Sequence, residues 1–406
     1  MRCRKWHLSS EATYNTYSEK NRYSYNESQG YSTDNVLNNF RHSFLFSMEV
    51  DREIVNVGNL KTGCRVFHRK YKSDNVNSDE VFDSKQNRVK FYFNMSRRFS
   101  NKLSGNIGLT MEHIRSKSPS YDNEKQIIWG GNITLRYGQW GDKFRFDINY
   151  KSTTSYPMLY QTMSIKNHSD SLLVYSGNSS LKASTLHHLS LHAKYRQIGL
   201  TTTFSYSPNA ILSIYKQNGD LITKTYDNIE KLSYQFNLGY HPKDIKLNNG
   251  NLHFTIQMMY GGNYIDQPFS HKHISYLTGL AQITYNHNKY GSLQLDYRRL
   301  SKKILSTQTI SRKANDGWYL LIAKDFFQSR LNCAIEYVLP IKIGVTQDTY
   351  LDTQTHFYSY FVKENTYEYF RNRISFHLTY HIADGHTVNK QKNEQSRENE
   401  VYNSYF

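Results

Sequence analysis

The chain has 406 residues, beyond the roughly 150 that usually make one domain, so two or three ordinary domains or one large closed sheet would fit it. Aromatic residues make up 15% of it, with 35 Tyr, 21 Phe and only 6 Pro, which suits strands and excludes a disordered chain, while a formal charge of +17 directs attention to polyanionic partners such as nucleic acid or an anionic membrane surface. The three cysteines, Cys3, Cys64 and Cys333, rule out a disulfide framework and a CxxC zinc site, and no run reaches the roughly 18 apolar residues of a spanning helix.

In chain order, Met1-Arg2-Cys3-Arg4-Lys5-Trp6 leads into no apolar signal core, and residues 4–17 leave room for a first upward strand. Residues 43–50 read as a strand running down. Residues 71–86 read as a long loop. Val89, Phe91, Phe93 and Met95 then alternate with Arg88, Lys90, Tyr92 and Asn94, and after a short link at 97–101 Leu103, Gly105, Ile107, Leu109 and Met111 alternate with polar residues ending at Glu112. Period-two alternation puts one apolar and one polar face on each strand. A long loop at 115–126 and a short link at 138–142 precede the strand of Phe144, Phe146, Ile148 and Tyr150. Residues 151–185 form another long loop, 186–195 a strand and 196–197 a turn. Within the loop at 207–228, Asn218-Gly219 predicts a tight hairpin with positive φ at both central positions. Strands follow with Leu232, Tyr234, Phe236, Leu238, Tyr240 and with Leu252, Phe254, Ile256, Met258, Tyr260. After these come a short link at 286–290, a long loop at 301–316, a short link at 327–330 and a long loop at 340–366. Ile374, Phe376, Leu378 and Tyr380 close the pattern, and 384–406 reads as a solvated tail with Lys390, Lys392, Glu394, Arg397, Glu398 and Glu400.

Many runs last about ten residues, the length of a tilted bilayer-crossing strand rather than a soluble one. The links alternate between short and long, as in an antiparallel up-and-down barrel with turns on one side of a membrane and loops on the other. The expectation is an all-β transmembrane β-barrel of about 16 strands at residues 41–383, preceded by an N-terminal segment, 1–40, with room for one strand plus an outer loop. Tyr137, Tyr150, Tyr206, Tyr240, Tyr260 and Tyr380 fall where an aromatic girdle would lie. The closing strand runs toward the short-link side.

Other chemistries find less support. His187-His188 point to opposite faces of a strand and cannot share one ion; His271 and His273 could, but no acidic partner is near in sequence. No GxSxG or HExxH signature suggests a barrel enzyme, and Gly261-Gly262 lacks the helix and lysine of a phosphate loop. No catalytic, cofactor or metal residue is assigned. Lys90, Arg136, Lys143, Arg145 and Arg298 lie on polar faces, which suits a wet barrel interior better than a nucleic-acid surface. A soluble β-rich binding or adhesion protein and a basic nucleic-acid-binding protein are the alternatives.

Two segments carry a family resemblance. Gly177-Asn178-Ser179-Ser180-Leu181-Lys182-Ala183-Ser184, ahead of the strand at 186–195, resembles the Gly-Asn-Pro-x-Leu-Lys-Pro-Glu-like segment of TonB-dependent receptors, with both prolines and the acid replaced. Phe376-His377-Leu378-Thr379-Tyr380-His381-Ile382-Ala383-Asp384-Gly385 resembles their closing strand, with Ile382 where Phe is usual. The resemblance covers roughly residues 40–385 and implies the C-terminal part of a 22-strand receptor barrel in the bacterial outer membrane, lacking plug and signal peptide. It implies outer-membrane lipid and lipopolysaccharide as surroundings, a nutrient ligand of unspecified kind, and a TonB complex as partner only where a plug lies upstream. Binding residues are expected in the long outer loops, such as Tyr156, Tyr264, the loop beside Trp318, Tyr350 and His356.

Overall fold

The computed structural model describes residues 6–26, 32–54, 57–76, 81–118, 121–139, 141–164, 166–168, 173–266, 273–299, 303–304, 309–313, 317–327, 330–339, 349–354, 359–364 and 372–380. The expected tail at 384–406 lies outside the described residues.

An extended segment must find hydrogen-bond partners for its backbone in neighbouring strands, and here each long strand finds them in the next one along the chain. Among the described residues sixteen strands form this antiparallel meander: β1 (His7–Asn26), β2 (Ser32–Ile54), β3 (Gly58–Asn75), β4 (Val81–Arg98), β5 (Leu103–Ser118), β6 (Tyr121–Tyr137), β7 (Phe144–Ser155) and β8 (Ser184–Tyr195) make the first half. The second half is β9 (Ile198–Asn218), β10 (Leu221–Tyr240), β11 (Gly250–Ile265), β12 (His273–His287), β13 (Gly291–Arg299), β14 (Gly317–Phe326), β15 (Leu331–Leu339) and β16 (Ile374–Tyr380). Every consecutive pair is antiparallel. Among the described residues, β1 pairs only with β2 and β16 only with β15. A separate four-stranded sheet joins 303–304 and 309–313, from the loop after β13, to 349–354 and 359–364, from the loop after β15.

Three of the expected long loops are largely strand. β3 runs to Asn75 and β4 begins at Val81, β5 and β6 meet across 119–120, and β9 and β10 continue to a turn at 219–220. The reason is physical. Apolar alternation stops where lipid stops, but backbone pairing needs no lipid and carries these hairpins onward into water. β2, at 23 residues, is far longer than the roughly 9–11 needed to cross a bilayer. The predicted hairpin forms with its turn one residue along: Asn218 pairs with Leu221, and Gly219 takes the positive φ, +63°. The short links, including 99–102, 196–197, 288–290 and 327–330, fall on one side of the sheet, the side that faces the periplasm in an outer-membrane barrel.

The two faces of the sheet differ sharply. Register places Phe91, Met111 and Trp129 on one face, and Lys90, Glu112 and Ile128 on the other. On the first, Leu109 is 58% exposed, Trp129 68% and Phe376 77%. On the second, Glu112 is 3% exposed and Asp296 2%. Water would penalise that arrangement in a soluble protein, whereas a barrel in lipid requires it. The six girdle tyrosines all register on the apolar face; Tyr137 packs on Phe144 with ring centroids 6.0 Å apart.

Candidate functional site

The interior wall is a ladder of polar and charged pairs. Asp147 accepts hydrogen bonds from Arg136 and Arg145, both at 2.8 Å. Glu49 is bonded by Tyr92 at 2.8 Å and paired with Lys61 at 2.6 Å, and Asp296 is held by Arg298 at 2.7 Å and Gln294 at 3.0 Å. Such pairing lets charge face inward without leaving ions buried alone.

At the outer mouth the connection from β7 to β8 folds against this wall. It carries a short helix, Leu159–Thr162, and a strand, Leu173–Tyr175, which pairs parallel to 222–224 of β10. Tyr156 opens the connection. Its hydroxyl donates to Glu112, and its ring and that of Phe67 flank the Arg88 guanidinium, with centroids 3.8 and 4.0 Å from Arg88 Cζ. Arg88 also lies 3.9 Å from Glu112. Burial pushes the Tyr156 phenol above its ordinary pKa, so it stays neutral and donates. Ile114, Ile128 and Ala183 pack around Tyr156, while Met163 packs with Leu37, Tyr71 and Phe82 higher in the mouth. Further out, burial and the neighbouring Tyr160 and Tyr175 push the Tyr226 phenol up to about 12, and burial lowers the Lys224 ammonium.

The segment that carries the family resemblance is the anchor of this connection. Gly177 N–H donates to Met163 O at 2.8 Å, and a Cβ there would lie 2.5 Å from that oxygen, so only glycine fits. Asn178 Nδ2 donates to Tyr226 O at 2.9 Å; Asn228 Oδ1 accepts from Lys182 N–H at 2.8 Å; Asn209 Nδ2 donates to Ala183 O at 2.7 Å. On the other flank Ser118 Oγ donates to Ser179 O at 3.2 Å, and Lys182 pairs with Glu124 at 2.9 Å. The segment therefore clamps β5 and β6 to β9 and β10.

Of the expected binding residues, the structure brings Tyr156 into this site. Tyr264 registers on the outward face opposite Leu232, and Trp318 packs outward on Tyr297 with ring centroids 5.2 Å apart. Tyr350 lies in the strand at 349–354, and His356 lies outside the described residues. His187 bonds Tyr150 on the outward face and His188 bonds Ser205 on the inward one, each at 2.8 Å, so they diverge as expected. His273 stacks on Tyr234, and His271 lies outside the described residues. Among the described residues no group of three or more His, Cys, Asp or Glu side chains could hold a metal ion. The reading of sequence missed Arg88 as a site residue, and with it Phe67, Asn209 and Asn228, because their roles depend on cross-strand register.

With this geometry in place, the comparisons are decisive on kinship. The model of the outer membrane protein beta-barrel family matches residues 4–380. The chain belongs to that family. It is a protein of the bacterial outer membrane, and the lipid-facing and inward-facing surfaces follow from that location. No curated protein matches. Among solved structures, the copper transporter OprC is similar with TM-score 0.59 and 10% identity, over 82% of this chain and 56% of that one. The FrpB iron transporter from Neisseria meningitidis is similar with TM-score 0.51 and 10% identity, over 82% and 58%. The pyoverdine outer membrane receptor FpvA from Pseudomonas aeruginosa PAO1 gives 0.50 and 9%, over 82% and 54%. At these identities the shared property is the fold, and the chain spans little more than half the length of each.

Proposed function

We propose that this family member is the barrel of an outer-membrane uptake receptor for a metal ion or metal chelate, and not an enzyme. The observation that carries the reading is the pairing of a charged, inward-facing wall with an outer connection whose described residues, 156–164, 166–168 and 173–183, fold against its mouth. A solute captured outside meets a surface able to exchange hydrogen bonds and charges with it along the interior, whereas lipid meets a mainly apolar face. The fold shared with a copper transporter and an iron transporter supports the substrate class. Among the described residues β1 and β16 each have one unpaired edge, and backbone groups along such an edge need a partner in hydrocarbon. Coupling to a TonB complex belongs to this proposal only where a plug occupies the interior.

Deleting the gene should lower accumulation of radioiron or radiocopper in cells grown at limiting metal, with recovery on complementation by the full chain. Unchanged accumulation of both metals, with the protein detected in the outer membrane of the parent strain, would overturn the proposal.

A further inference from the structure

On the short-link half of the interior, β6, β7 and β8 turn a purely polar tract inward. Register lays it out in rows. Asn132 stands beside Lys151 and His188, Thr134 beside Asn149 and Ser190, and Arg136 beside Asp147 and His192, with Arg145 beside Lys194 one step further toward the short links. Neighbouring strands lie about 4.8 Å apart and same-face residues about 6.6 Å apart along a strand, so the tract is about 10 Å wide and about 20 Å long. Four basic side chains share it with one carboxylate, an excess of 4 − 1 = +3. Asp147 accepts from both Arg136 and Arg145 at 2.8 Å, and one carboxylate offsets only one of two guanidinium charges. The imidazoles are fixed from the neighbouring strand: His188 Nδ1 bonds Ser205 Oγ at 2.8 Å, and His192 Nδ1 bonds Thr201 Oγ1 at 2.9 Å. Each ring keeps Nε2 for a solute.

We propose that this tract gives the interior its charge selectivity, binding a multiply charged anionic metal chelate, one that presents carboxylate, phenolate or phosphate oxygens, and rejecting a bare metal cation. The inference rests on the uptake reading above and adds the sign of the solute's charge. Guanidinium and ammonium groups donate hydrogen bonds and accept none, so they receive anionic oxygens. The one carboxylate in these rows that could receive a cation is already engaged by two arginines. Low-dielectric walls around a wet interior strengthen the field of such an excess, raising the local concentration of anions and lowering that of cations.

The test uses the full chain in detergent at low ionic strength, dialysed to equilibrium against hexacyanocobaltate(III), a trianion, or hexaamminecobalt(III), a trication of the same metal and octahedral shape, with bound cobalt measured by mass spectrometry. The parent should bind the trianion at least tenfold more tightly than the trication. Replacing Arg136, Lys151 and Lys194 together with Gln should remove most of that preference. Arg136→Lys, Lys151→Arg and Lys194→Arg together should bind like the parent, which separates lost charge from lost fold. Lys70, Lys85 and Lys117 register on the outward face of β3, β4 and β5; replacing these three with Gln removes the same charge elsewhere and should leave binding unchanged. A parent without preference for the trianion, parent-like binding by the inward Gln variant, or equal losses in the inward and outward Gln variants or in the inward Gln and charge-conserving variants would each overturn the proposal. Metal accumulation by the deletion strain tests the uptake reading separately: selective binding of the trianion with unchanged accumulation would sink that reading and leave the tract's selectivity standing.

Discussion

Replacing Leu109 with arginine should prevent stable insertion into a bilayer, while Thr134→Arg should be tolerated. Leu103 pairs with Tyr137 at the periplasmic girdle, and Leu109 stands further along the same strand, opposite Gly131. At roughly 3.3 Å per residue and a tilt near 45°, that places Leu109 about 14 Å above the girdle, near the middle of the hydrocarbon core. Its side chain is outward and more than half exposed. An arginine there loses hydration to lipid and costs about 2–4 kcal/mol. Thr134 points inward toward Asn149, where water and polar groups receive a guanidinium. Urea titration of each variant refolded into lipid vesicles measures the difference. Equal destabilisation by both would mean that the two faces do not see different solvents.

A comparable loss is expected from Arg88→Ala. Glu112 is almost fully buried, and Arg88 is the cation beside it, held between two aromatic rings. Removing one partner of a buried ion pair costs about 3–5 kcal/mol, because the other charge stays desolvated. Tyr156 still donates to Glu112 in this variant, which keeps the loss toward the lower end. The consequence should be local as well as global: the 156–183 connection should be cut by added protease far faster than in the parent. Glu112→Gln in the same background should recover much of the stability, since a neutral amide needs no counter-charge. Parent-like proteolysis and stability in Arg88→Ala would show that the connection is held by its Gly177–Ser184 clamp alone.

Much of this molecule is legible in its sequence. The alternation of Val89, Phe91, Phe93 and Met95 with Arg88, Lys90, Tyr92 and Asn94 identifies a strand and also the two solvents on its sides, because each solvent selects its own side chains. The upward strand expected within 4–17 is β1, running on to Asn26. What alternation cannot show is where a strand ends once it has left the membrane. At Lys70, Lys85 and Lys117 both faces are polar, so the apolar signal is lost while hydrogen bonding continues. The Arg88–Glu112–Tyr156 group was hidden for a different reason: three residues from separate strands and a loop meet only when register is known. The segment at 177–184 was recognisable as a family likeness, but its task as a clamp emerges from the partners Asn209, Asn228, Ser118 and Glu124.

The central claim is that the apolar face meets lipid, and Trp129 reports on it most directly, being outward-facing and the most exposed tryptophan described. With Trp6→Phe, Trp140→Phe and Trp318→Phe leaving it as the sole indole, the chain is reconstituted in vesicles whose acyl chains carry bromine. Strong quenching by the brominated chains, with little by aqueous iodide, is the predicted result. Strong quenching by iodide with none by the brominated chains would contradict the account.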